Sequence, residues 1–294
     1  MKKYIKIAVV ALFASCSGAS LEKEQEIDGF ALPEGVVQHE KYLYVSNVGK
    51  KFEPLEKDGD GFISKMNEDG DVIDMHYLPL NDTLHSPKGM GVVNNVLYVT
   101  DIDRLKGFDL TTREKVFDLD FSREKTLLLN DIAVKNDSAL FVSAMDIGKI
   151  YEVDLTSKSY RVIQEVQKPN GLSWDAEEHI LYVGMFGRED NANGNNGDLG
   201  MITFAGDAVL YEEISSYQGN IDGVAIDNGH VLFSDWLAYG DKGGIKMLDL
   251  ATGEIKAISD HKIDGPGDFF YNPISKKLWI PKMKENKILV IDLD

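Results

Sequence analysis

Residues 169–183 read PNGLSWDAEEHILYV, a Pro-x-Gly turn, a short alternating run and then the apolar triplet Leu181-Tyr182-Val183. The same triplet grammar recurs as Leu43-Tyr44-Val45, Leu97-Tyr98-Val99, Leu140-Phe141-Val142, Leu232-Phe233-Ser234 and Leu278-Trp279-Ile280. Successive separations are 54, 43, 41, 51 and 46 residues. This is the period of a four-stranded propeller blade and too long for ankyrin or leucine-rich repeats. Each triplet is followed by a run ending in an Asp-Leu pair or its like, for example Ile150 to Leu155 or Ile245 to Leu250, then by a polar turn and a further alternating run. The pattern predicts an all-β, six-bladed β-propeller. The sixth unit holds only three strands, so a segment near Glu26 to Ala31 is expected to pair into the last blade and close the ring, which leaves no open sheet edge there.

Composition fits one domain over residues 27–294. Gly is abundant at 27 residues, Pro sparse at 8, and helical periodicity nearly absent. Residues 1–15 read as a leader: Lys2, Lys3 and Lys6 precede an apolar run, Ile7 to Ala14, too short to span a bilayer. Ala14-Ser15-Cys16 resembles a bacterial lipoprotein processing site, with Cys16 the lipidated residue and residues 16–26 a tether. The expected location is the bacterial cell envelope, lipid-anchored, at the outer membrane or facing the periplasm; an ordinary secretory leader is the other reading. Cys16 is the single cysteine, so stability must come from packing rather than disulfides. Net charge is −18, and −21 without residues 1–15, which disfavours nucleic acid as a partner and favours cations. Contact with the membrane is expected through the anchor alone, and the sequence names no protein partner.

The turns before the inner strands of a propeller ring one mouth of its central channel. Here they carry Glu34, Lys88, Asn130, Asn170, Asp222 and Gly267-Asp268. Glu34 and Lys88 are not turn formers, so backbone geometry alone does not account for them. Glu34, Asn130, Asn170 and Asp222 together offer two carboxylates and two amides from four blades. An all-oxygen set suits one divalent cation, Ca²⁺ first, with Mg²⁺, Mn²⁺ and, least well, Zn²⁺ behind it.

Pro169-Asn170-Gly171-Leu172-Ser173-Trp174 and Ile221-Asp222-Gly223-Val224-Ala225-Ile226-Asp227 resemble the senescence-marker-protein, gluconolactonase and luciferin-regenerating-enzyme family, the regucalcin-like propellers, and more distantly the paraoxonases. The resemblance implies a cation on the channel axis held by Glu34, Asn170 and Asp222, with Asn130 lining the pocket and, as in paraoxonase-like enzymes, joining the metal. It implies hydrolysis of a lactone or related ester, with Asp222 as general base and a small-molecule substrate contacted by Asn130, Lys88 and Asp268. A salt bridge from Lys88 to Asp131 or Asp268 is the other reading of that lysine. Departures from the family pattern are Leu128 in place of a sugar-binding Arg, and Met145-Asp146-Ile147-Gly148 in place of an insertion bearing a sugar-contacting Glu. Lys88 stands where paraoxonases place a His, and Gly35 where they place an Asp for a second calcium. A non-catalytic propeller that binds a small molecule or an envelope protein stays open beside the hydrolase. Trp174, Trp236 and Trp279 are expected to pack between blades.

Overall fold

A computed structural model describes residues 24–187, 197–206, 208–237 and 242–293. The leader, Cys16 and most of the tether lie outside the described residues, as does most of an Asn/Gly-rich excursion expected over residues 188–200.

Six antiparallel four-stranded sheets stand around an axis as propeller blades. Their innermost strands are Pro33–His39, Pro87–Val93, Leu129–Asn136, Pro169–Asp175, Ile221–Asp227 and Phe270–Asn272. The second strands are Tyr42–Asn47, Val96–Asp101, Ala139–Ala144, Ile180–Met185, His230–Asp235 and Lys277–Lys282. Two 3-10 turns, Ser122–Glu124 and Met283–Glu285, are the only helical elements among the described residues.

The apolar triplets belong to the second strands, and the fold explains why they are apolar throughout. A second strand has a neighbouring blade on each face, so alternate side chains enter two different cores. Leu43 and Val45 face back and pack with Trp279 and Ile288 of blade 6, whereas Tyr44 faces forward to Leu97 and Val99 of blade 2. The same division repeats at every gap, giving one core between each pair of blades. Burying a side chain of this size contributes about 1.5–3 kcal/mol. Outermost strands are the most exposed of each blade; Lys115–Asp120 buries only Phe117.

One register differs from the sequence expectation. In blade 5 the residue facing forward is Leu232, packed with Leu278 and Ile280, while Val231 and Phe233 face back with Tyr182. The blade-5 triplet is therefore Val231-Leu232-Phe233, one residue earlier than Leu232-Phe233-Ser234. Because strand side chains alternate with a period of two, a slip of one residue exchanges the faces, and only the packing distinguishes the alternatives.

Gln25–Asp28 closes the ring by pairing antiparallel with the final strand, Gln25 opposite Val290 and Asp28 opposite Lys287. It begins one residue before the expected segment and ends short of Ala31. Ile27 enters the core between blades 6 and 1, and Glu26 pairs with Lys282 and, at 2.8 Å, with Lys287.

Candidate functional site

Each of the first five inner strands breaks its ladder at the same place. The register shifts between Pro33 and Val36, Pro87 and Met90, Leu129 and Ile132, Pro169 and Leu172, and Ile221 and Val224. Such a bulge releases residues from pairing and re-aims their side chains. The residues released include Glu34, Lys88, Asn130, Asn170 and Asp222, and all five line one pocket of about 130 Å³ at the channel mouth. The following position is crowded by the next blade. A Cβ on Gly171 would stand 1.9 Å from the Asp222 carbonyl oxygen, so only glycine fits there.

Blades 3 and 6 carry Asp131 and Asp268 at this crowded position. Asp131 accepts the amide N–H of Leu172 and of Ile132, both at 2.6 Å, and its carboxyl hydrogen-bonds that of Asp268. Burial pushes Asp131 up to about 7 against the pull of those amides. Burial, with the nearby charges of Asp131, Glu34 and Asp222, holds Asp268 well above the usual carboxylate range. Asp131 has the amide donors and Asp268 has none of them, so the shared proton sits on Asp268. Asp268 thus lies behind the floor, its backbone N–H donating to the Glu34 carbonyl at 2.7 Å, and it is not among the residues lining the pocket.

On the floor itself three oxygens have no hydrogen-bond partner although they are buried: Glu34 Oε2, Asn170 Oδ1 and Asp222 Oδ1. Buried polar atoms are ordinarily paired, and leaving one unpaired costs about 1–3 kcal/mol. That the unpaired atoms are all oxygen, and come from three blades of one ring, fits a hard cation with oxygen ligands. Glu34, Asn170 and Asp222, with Asn130 beside them, are the residues that could hold it. Among the described residues no cluster of three His, Cys, Asp or Glu side chains could hold a metal, since this set supplies two acids and completes itself with amides.

Burial, reinforced by Asp222, raises the Glu34 carboxyl well above its ordinary range, and Lys88 offsets this in part. Asp222 is pushed up to about 7, chiefly by burial, while the Trp236 indole N–H at 2.8 Å on Oδ2 and the Asn170 side chain pull it down. Lys88 is depressed by burial, with Glu34 working against the depression. Its Nζ donates to Pro54 O, Ser86 O and Ser86 Oγ, each at 3.0 Å, which uses all three N–H bonds of the ammonium. Neither Asp131 nor Asp268 is its partner.

Above this floor stands an apolar wall that the sequence reading did not find. Its members are Val48, Met145, Phe186, Trp236 and Met283, joined by Phe52, Pro54 and Leu128. The first five are each the residue directly after a second strand. Each donates its backbone N–H at 2.9–3.1 Å to a carbonyl on the approach to its own blade's inner strand, those of Leu32, Leu128, Lys168 and Asn220 directly before the strand and that of Gly265 five residues before Phe270. In blade 2 the matching residue, Ile102, is fully buried. There the blade-1 segment after Val48 leans across, fastened by Lys57 to Asp103 at 2.6 Å and by Pro54 to Lys88, and brings Phe52 and Pro54 to the wall. Trp236, expected between blades, is a pocket residue; Trp174 and Trp279 pack between blades. The signal that identifies the wall is positional, the residue following each triplet-bearing strand.

The sequence profile of the SMP-30/gluconolactonase/LRE-like region matches residues 32–266. The chain belongs to this family. No curated protein matches it. Among solved structures it resembles a gluconolactonase from Xanthomonas campestris (TM-score 0.68, 14% identity, covering 92% of this chain and 89% of that one). It also resembles virginiamycin B lyase from Staphylococcus aureus (TM-score 0.61, 14% identity, 93% and 100% covered) and a chain of the nidogen/laminin complex (TM-score 0.58, 14% identity, 92% and 90% covered). At this identity the likenesses establish the propeller fold, which hosts enzymes and binding proteins alike.

Proposed function

We propose that this family member is a divalent-cation-dependent hydrolase of a lactone or related ester. The observation that carries the reading is the convergence of Glu34 Oε2, Asn170 Oδ1 and Asp222 Oδ1, buried and unpaired, on one small pocket. The chemistry a bound cation supplies here is polarisation of the substrate carbonyl and compensation of the charge that builds on its oxygen. Ca²⁺ suits the oxygen donors best.

The protein's own part is positioning and proton transfer. Trp236 fixes the Asp222 carboxylate through Oδ2. Asp222 takes a proton from water as the water oxygen bonds to the carbonyl carbon, and the carbon–oxygen bond of the ring then breaks. The departing alkoxide recovers that proton, so that lactone and water give a hydroxy acid. Lys88 contributes fixed positive charge, its donors being committed elsewhere. Gluconolactone itself is disfavoured as the substrate by Leu128 and Met145, apolar pocket residues at or near positions where the family resemblance led us to expect sugar contacts. Residues 1–16 support export and lipid anchoring at Cys16 in a bacterial envelope, which mass spectrometry of the N-terminal peptide tests directly.

Thermal unfolding of the chelated protein during titration with Ca²⁺, Mg²⁺, Mn²⁺ and Zn²⁺ tests the cation. One cation should stabilise saturably, by about 2.7 kcal/mol at a hundred times its Kd, and Glu34→Gln/Asp222→Asn should lose the effect. Absence of any shift would remove the cation from the reading; a shift without turnover on any ester would move the protein to the binding propellers.

A further inference from the structure

We infer that the substrate of this pocket is an apolar lactone or ester, a small ring bearing an alkyl or aryl substituent, and not a polyhydroxylated one. The inference rests on the hydrolase reading above and specifies its substrate class.

Size points to the ring. A volume of about 130 Å³ is close to the roughly 150 Å³ of an apolar cavity that admits benzene. Chemistry points to the substituent. Every wall residue, Val48, Met145, Phe186, Trp236 and Met283, presents an apolar surface, and the one wall side chain with a strong donor, Trp236, has given it to Asp222. Phe186 meets Trp236 edge to face at 6.0 Å between centroids, and Phe52 stands 6.4 Å from the same indole on the other contact. Phe52 is 40% exposed at the mouth, so apolar surface extends outward from the floor on this side, while the Lys284 ammonium stands 5.1 Å from the Trp236 ring centroid. A chain attached to a ring seated on the floor would run along this surface.

The polar floor offers a polyol little beyond the Asn130 amide, whose Nδ2 donates to Met145 Sδ at 3.7 Å. All three donors of Lys88 are taken by Ser86 and Pro54. The unpaired floor atoms are acceptors that the cation reading already uses. A sugar lactone would therefore bury several hydroxyls against Met, Phe and Trp, and each unpaired hydroxyl lowers affinity roughly five- to hundredfold. A buried methylene instead raises it about fourfold. Nor does the saturated lysine recruit a substrate carboxylate, which leaves the uncharged lactones.

The test uses the purified chain with its selected cation. Acid release gives kcat/KM for butyrolactones carrying no substituent, a propyl and a hexyl chain, and for glucono-δ-lactone. Calorimetry with 2-alkylcyclopentanones, which keep the ring and carbonyl but cannot be hydrolysed, reads binding without turnover. The expected result is kcat/KM rising about fourfold per methylene over the first carbons, with glucono-δ-lactone poorest. Phe186→Ser should cut the ratio of hexyl to unsubstituted lactone about tenfold. A flat dependence on chain length, or a preference for glucono-δ-lactone, overturns the inference while hydrolysis stands. If no lactone is hydrolysed but ketone affinity climbs with chain length, the hydrolase reading fails and the apolar pocket stands. Neither turnover nor ketone binding would overturn both.

Discussion

The floor and the wall of the pocket are both built once per blade, yet the fold constrains them in opposite ways. Floor residues sit at a ladder break, pressed against the next blade, where Gly171 leaves 1.9 Å for a Cβ and where buried oxygens stay unpaired. Wall residues sit just past a complete strand, their backbone satisfied by the carbonyl before the inner strand, and their side chains point into open pocket. A floor position accepts few residues and, in the proposed hydrolase, carries the reaction chemistry. A wall position accepts any side chain that fits and sets what is bound. The two rings should therefore respond differently to substitution.

The largest effect is expected at the floor. Asp222→Asn should lower kcat by about 10²–10⁴-fold, the usual worth of a general base, while the thermal transition of the metal-free protein stays close to wild type. Full activity in that variant would place the reacting end elsewhere. Next comes Gly171→Ala, which forces a Cβ into the Asp222 backbone and should cost about 3 kcal/mol in urea unfolding. A cost near zero would mean that the inner strands part easily and that the floor is less constrained than the wall comparison requires. Met145→Leu, a wall change of similar volume, should stay under about 1.5 kcal/mol yet alter the ranking of substituted lactones. If it destabilised as much as Gly171→Ala, the division between the rings would collapse.

The smallest effect belongs to neither ring. Lys282 and Lys287 hold the Glu26 carboxyl down at about 2, from 4.5. A depressed carboxylate stabilises the fold above its unfolded value, and that contribution disappears as pH falls from about 4.5 toward 2. Glu26 is substantially exposed, so the contribution after solvent screening is roughly 0.5 kcal/mol. Wild type and Glu26→Gln should differ slightly in Tm at pH 6 and converge near pH 2. A gap that widened on acidification would reverse the sign assigned to this ion pair.

The fold was legible because second strands are sandwiched between blades and so must be apolar at consecutive positions, which makes them stand out at any spacing. The slip in blade 5 shows the limit of that signal. Leu232-Phe233-Ser234 matches the aromatic-centred form of the other triplets and Val231-Leu232-Phe233 is the wholly apolar run, and contact with Tyr182 or Leu278 assigns the faces. Glu34 and Lys88 could be read because a charged residue before glycine in a turn has no backbone reason to be there. The wall could not, because one Met or Phe after a strand looks like any other apolar residue until its neighbours around the ring are known. The partners of Lys88 and the meeting of Asp131 with Asp268 depend on segments distant in sequence, and no local pattern announces them.

Pairing of Gln25 with Val290 and of Asp28 with Lys287 makes the molecule a circuit rather than a stack. Five blades can form in order as the chain is made, each needing only the one before it. The sixth has no fourth strand until Lys287–Asp292 meets Gln25–Asp28, so Ile27 and its neighbours wait, uncovered, while the five intervening blades are made. A product missing its final strand would lack the partner of residues 25–28 and leave the ring open at a sticky edge. Closure of the ring thus reports that the chain has been made through its twenty-fourth strand, and a protease or chaperone that samples that edge could distinguish closed rings from open ones without inspecting the pocket at all.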